Sequence, residues 1–88
     1  MANFMGGSAP NMAAQICEGY ILVSTATFRG FKVGDLQVLR LELDKLLRAA
    51  RAEVPPADDA LAQAARNRKI SRLSSSLQVV GAQITTAR

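Results

Sequence analysis

Residues 20–33 read YILVSTATFRGFKV, and the fold turns on how that stretch is read. Ile21, Val23, Thr25 and Thr27 are β-branched and recur at every second position. Branched side chains are stiff about χ1 and pack well on a pleated surface, so a strand over residues 20–28 is expected. Arg29-Gly30 then reads as a turn, and Phe31-Lys32-Val33 as a second, shorter strand. A two-stranded hairpin alone is marginal in water, so it needs a helix or another chain against it. The competing reading is one continuous helix over residues 10–28, because β-branched runs are poor helix formers but not forbidden ones.

On the N-terminal side, residues 9–18 (APNMAAQICE) read as a short helix. Ser8 can cap it, Pro10 suits its first turn and Gly19 can end it. Such a helix is too short to stand alone and must pack on something. Residues 1–8 read as an arm, because Gly6-Gly7-Ser8 is a flexible link. Phe4 and Met5 lie ahead of that link and are expected to dock into a groove elsewhere.

On the C-terminal side, Asp35 is expected to cap a helix over residues 35–54. Leu36, Leu39, Leu43, Leu46 and Ala50 recur at spacings of three and four, which makes a helical seam. Val38, Leu41 and Leu47 widen the apolar surface beyond a thin stripe. Arg40 and Arg48 each stand four residues from Asp44, so two intrahelical ion pairs are expected. Val54-Pro55-Pro56 stops this helix, and a second is expected over residues 56–85. Its seam is Ile70, Leu73, Leu77, Val80, Ile84 and Ala87. At 1.5 Å per residue the two helices span about 28 Å and about 45 Å. The second should therefore overshoot its antiparallel neighbour by about 15 Å, leaving residues 75–88 in need of cover.

The fold class expected is mainly α with a small β element. A short N-terminal helix, a β-hairpin and an antiparallel pair of long helices make one domain over residues 9–88. The whole chain is 88 residues, which allows a single small core. Hydrophobic residues make up 49% and aromatics only 5%, so that core is aliphatic.

Histidine is absent, which removes the commonest general base and the commonest metal ligand. The single cysteine, Cys17, allows no internal disulfide. Glu42 and Asp44 are two apart on a helix and point in different directions. No glycine-rich phosphate loop is present. The expectation is a protein with no catalysis, cofactor, metal or small-molecule substrate. The N-terminus shows no basic segment followed by a long apolar one, so no signal peptide is expected, nor a membrane span. The expected place is the cytoplasm or a virion.

The net charge is +4, and residues 60–88 contain five cations and no acid. Arg66, Arg68, Lys69 and Arg72 form a cluster that can contact phosphate or an acidic partner. Arg66 falls on the apolar side of the helix, so its stem snorkels to bring the head to water or its charge takes an acidic partner, for which Glu42, Glu53 and an acid of a neighbouring chain are candidates. Ser71, Ser74, Ser75 and Ser76 read as a small-residue packing surface.

The segment MAAQICEGYILVSTATFRGFKVGDLQVLRLELDKLL orders a short helix, a small hairpin and a longer helix. In that order it resembles the small head–tail joining and neck proteins of tailed phages, departing from them in its second long helix. The helical hairpin with a Pro-containing bend is also similar to secretion-needle subunits, which lack the β-rich stretch. The phage resemblance implies a non-enzymatic ring or collar component that binds copies of itself and neighbouring virion proteins. The aliphatic seams point independently to an assembly subunit that self-associates and docks onto a larger complex. Its expected interface is Phe4, Met5, Leu36, Leu39, Leu43, Leu46, Leu73, Leu77, Val80 and Ile84. The alternative is a small nucleic-acid-binding or scaffolding protein using the basic cluster.

Overall fold

The computed structural model describes residues 7–28 and 30–87. Three helices follow one another: α1 (Ala9–Cys17), α2 (Val33–Ala52) and α3 (Ala60–Ala87). The expected β-hairpin is not there: among the described residues no strand forms. The alternative of a continuous helix through residue 28 fails too, because α1 stops at Cys17.

The stop is built by glycine. Gly19 has a φ of +84°, which side chains with a Cβ rarely adopt. Its N–H donates to the Ile16 carbonyl (3.1 Å), and Tyr20 N–H donates to the Gln15 carbonyl (2.9 Å). These two bonds are the Schellman arrangement that closes a helix C-terminus. At the other end Ser8 caps α1, its hydroxyl accepting from Asn11 N–H at 3.3 Å.

Beyond the stop, the alternation that suggested a strand is real but serves another purpose. Tyr20, Leu22 and Ser24 are exposed, while Ile21 and Val23 are half-buried against the helical core. One side of an irregular segment therefore packs on helices, with no second strand beside it. Ser24 N–H donates to the Thr27 hydroxyl (3.0 Å) and Thr27 N–H to the Ser24 carbonyl (3.0 Å). That local closure starts a 3-10 turn at Thr25–Phe28. The turn packs on α3 and sinks Phe28 into the core, where it meets Phe31 edge-to-face at 5.5 Å. Hydroxyls satisfying nearby backbone groups are the usual competitor to a strand ladder, and here they win. Of the expected Arg29-Gly30 turn, Arg29 lies outside the described residues, and Gly30 has a φ of +89°.

The start of α2 differs in detail from expectation. The helix begins at Val33, and Asp35 is inside its first turn rather than at the cap. Its carboxylate reaches back to accept from Lys32 N–H at 3.1 Å, which is the return half of a capping box. Likewise α3 begins at Ala60 and not at Pro56. Asp59 caps it, accepting from Ala62 N–H at 2.9 Å. The preceding turn is held by Asp59 N–H to the Pro56 carbonyl, and by the Gln63 amide donating to the carbonyls of Pro56 and Ala57.

α2 and α3 run antiparallel, joined by the loop over residues 53–59. Arg66 Nε donates to the Ala50 carbonyl at 3.1 Å, which sets the register. Seventeen residues back from Ala50 reach Val33, and seventeen forward from Arg66 reach Gln83. The two helices differ by eight residues, 28 against 20. The excess of α3 over α2 is therefore about 12 Å of helix, against the roughly 15 Å expected from the sequence.

α1 packs against both long helices and closes the core. The core draws Met12, Ala13, Ile16 and Cys17 from α1, and Phe28 from the turn. α2 adds Leu36, Leu39, Leu43, Leu47 and Ala50, and α3 adds Leu73, Val80 and Ile84. Leu47 replaces the expected Leu46 on the buried stripe, and Leu46 is half-buried. On α3, Ser76 takes a buried place where an aliphatic stripe would put Leu77. Its hydroxyl donates to the Arg72 carbonyl at 2.8 Å, so its burial leaves no polar atom unsatisfied.

Candidate interaction groove

The residues expected to form an interface divide into three groups. Leu36, Leu39, Leu43, Leu73, Val80 and Ile84 are buried in the chain's own core and have no surface to offer. Phe4 and Met5 lie outside the described residues. Leu46 and Leu77 are half-buried, and Leu77 lines an open groove.

That groove runs between α2 and α3 and has a volume of about 660 Å³. Leu41 and Leu77 supply its apolar surface. Gln37, Arg40, Asp44, Arg48 and Gln78 complete its lining, and no residue of α1 contributes. Leu41 is 56% exposed even though it lies in the middle of the longest leucine run of the chain. The cause is helical phase: Leu36, Leu39, Leu43 and Leu47 take the core side, and Leu41 falls off it. The sequence held this signal as a leucine outside the three-four stripe.

The electrostatics of the rim follow from which pairs form. Asp44 meets Arg48 at 2.9 Å. The Arg40–Asp44 pair expected from the same spacing is absent among the described residues, so Arg40 stands at the groove as an uncompensated cation. Further round α2, Lys45 pairs with Glu42 at 3.2 Å. Both pairs are exposed enough that their role is local charge placement more than stability.

The basic cluster does not form one face. Arg66 uses Nε and Nη2 to bind the carbonyls of Ala50 and Arg51, at 3.1 and 3.0 Å. It closes the C-terminus of α2, where unpaired carbonyls and the helix dipole favour a cation. The acidic partner that Arg66 could have taken is thus replaced by main-chain oxygens. Arg72 does the same for α1, with Nε 2.9 Å from the Cys17 carbonyl. Its guanidinium lies over Gly19, where a Cβ would come within 3.3 Å of it. These two arginines are structural clamps aimed at different helices, leaving Arg68 exposed and Lys69 half-buried. A sequence pattern could not separate clamp from cluster, because the carbonyls concerned are 15 and 55 residues away.

Two smaller clefts remain. One of about 210 Å³ has Ile16, Ile21, Leu22 and Val23 on one wall and Ser71, Arg72, Ser75 and Ser76 on the other. The second, about 290 Å³, lies at the closed end of the hairpin, between Val54, Pro55 and Arg66. Among the described residues, no group of three or more His, Cys, Asp or Glu could hold a metal ion. No helix among them is long and apolar enough to cross a membrane.

Cys17 is buried in the core. Burial pushes its thiol above the ordinary value, and Glu18 adds to the shift, against the opposing pull of Lys69 and Arg72. A raised thiol pKa keeps the group neutral and poorly nucleophilic. The folded chain is expected to resist iodoacetamide at pH 8 and to be alkylated at once in denaturant. The unfolded thiol ionises first as pH rises, so this group's contribution to stability is complete below about pH 8.5 and declines above it. Equal alkylation rates in the folded and denatured chain would contradict the buried placement.

No protein-family model matches the chain, and comparison with curated proteins and with solved structures found no match.

Proposed function

We propose that the chain is a non-enzymatic assembly subunit that self-associates through the surface its own core leaves uncovered. The observation that carries this reading is the α2–α3 groove, with Leu41 and Leu77 set between polar walls. A cleft between two helices with an apolar floor and a charged rim is a common protein-docking surface. The buried seams cannot serve, so the interface moves from the leucines of the core to the leucines outside it. The tailed-phage reading leaned on a β element that does not form among the described residues, and the proposal is limited to the assembly role. The nucleic-acid reading is weakened by the engagement of Arg66 and Arg72 with helix carbonyls.

Light scattering coupled to size exclusion tests it. Wild type is expected to exceed the 9.4 kDa monomer mass at high concentration and low salt. Leu41→Asp is expected to return the mass to monomer without loss of helicity. A wild-type monomer at every concentration up to about 1 mM, a Kd range worth only about 4 kcal/mol, overturns the proposal.

A further inference from the structure

The closed end of the helical hairpin is chemically the reverse of the groove. Val54 and Leu61 are 91% and 83% exposed, the first in the joining loop and the second in the first turn of α3. Glu53, Asp58 and Asp59 flank them, and residues 52–65 contain no cation. None of these three carboxylates has an ion-pair partner among the described residues. Val54 and Leu61, seven residues apart in and just after the joining loop, offer apolar surface to a partner. The joining loop thus carries apolar and acidic side chains, with Arg51 and Arg66 lining the cleft beside it, and the groove carries one unpaired cation, Arg40, since Arg48 is held by Asp44.

From this complementarity we propose that the tip of one copy, Val54 and Leu61 with their acidic flank, seats in the α2–α3 groove of a second copy. The proposal rests on the self-association reading above and specifies its geometry. Tip and groove are different surfaces of the same chain, so each copy offers one and receives the other. Two copies that each seat a tip in the other's groove close as a two-fold dimer, whereas a one-way contact is heterologous and propagates into a ring or a filament. A groove of about 660 Å³ has room for two aliphatic side chains. A loop seated in a groove buries less than the roughly 1,200 Å² of a stable interface, so a single contact is weak and assembly is concentration-dependent. Attraction between acidic tip and basic rim also makes it salt-dependent.

Charge reversal on each side separates this arrangement from any other. The tip variant is Glu53→Lys with Asp58→Lys, which leaves the Asp59 cap intact. The groove variant is Arg40→Glu, at an exposed residue with no ion pair to lose. Each variant alone is expected to weaken self-association at least tenfold by sedimentation velocity, with the helical far-UV spectrum unchanged. An equimolar mixture of the two is expected to recover assembly, because the basic tip of one meets the acidic groove of the other. A wild-type multimer that both variants leave intact, or a mixture that stays monomeric, overturns the tip-in-groove contact while self-association stands. A wild type that never exceeds monomer mass overturns both readings.

Discussion

Leu43→Ala is expected to lower stability by about 2–5 kcal/mol, the range for removing a fully buried leucine and leaving a cavity. Leu43 has no exposed surface and lies at the middle of α2, between the core residues of α1 and α3. A domain of this length has roughly 4–13 kcal/mol in total, so the loss is a large fraction of it. At roughly 4–8 °C per kcal/mol, the thermal midpoint should fall by at least about 8 °C. Urea unfolding followed at 222 nm measures the change. Leu41→Ala, two residues away on the same helix, is the control. Its side chain faces the groove, and its effect should stay within about 0.5 kcal/mol. Equal losses for the two variants would mean that α2 presents a different face to the core.

Arg72→Met is expected to release α1. The guanidinium makes the hydrogen bond that ties the C-terminal carbonyl of this helix to α3, over 55 residues of sequence. A helix of nine residues has little stability of its own and depends on such tertiary contacts. Losing a charge-assisted bond and leaving the Cys17 carbonyl unpaired costs about 1.5–3 kcal/mol. That is about a ten- to hundredfold increase in local opening. Amide hydrogen exchange should show it at Met12, Ile16 and Cys17 while the middle of α2 stays protected. Arg68→Met, at an exposed cation with no ion pair among the described residues, should leave the exchange pattern unchanged. Uniform deprotection of all three helices would show instead that α1 opens only with the whole molecule.

The long helices were readable because their signals are local. Proline pairs, capping residues and leucines spaced three and four apart all act within one or two turns. What the pattern could not assign was the phase of α2 within one residue, so Leu46 took the place of Leu47 on the expected seam. Residues 20–33 were misread for a related reason. β-branched residues at alternate positions say that one side is buried, and they do not say against what. Here helices supply that surface, and Ser24 and Thr27 turn the chain before a second strand can pair. Most of the leucines expected at an interface are buried in the chain's own core, because a seam of leucines looks the same whether it packs within one chain or between two. Exposure decides the matter, and it depends on α1, whose short sequence gives little sign of how much it covers. The arginine clamps were beyond sequence reasoning, since main-chain carbonyls carry no residue signature.

The irregular segment after α1 also bears on how this chain can fail. Residues 20–28 hold no charge, no proline and no glycine, and they are rich in branched side chains. That is the composition of segments that stack into cross-β fibrils when many copies meet unpaired. In the native molecule Ile21 and Val23 are turned onto the helices, and the turn at Thr25–Phe28 breaks the run before it can serve as a template. Packing this segment onto the helices thus protects it from pairing between chains as well as filling the core. The Cys17–Gly19 corner, held by one arginine, keeps a strand-forming sequence out of circulation.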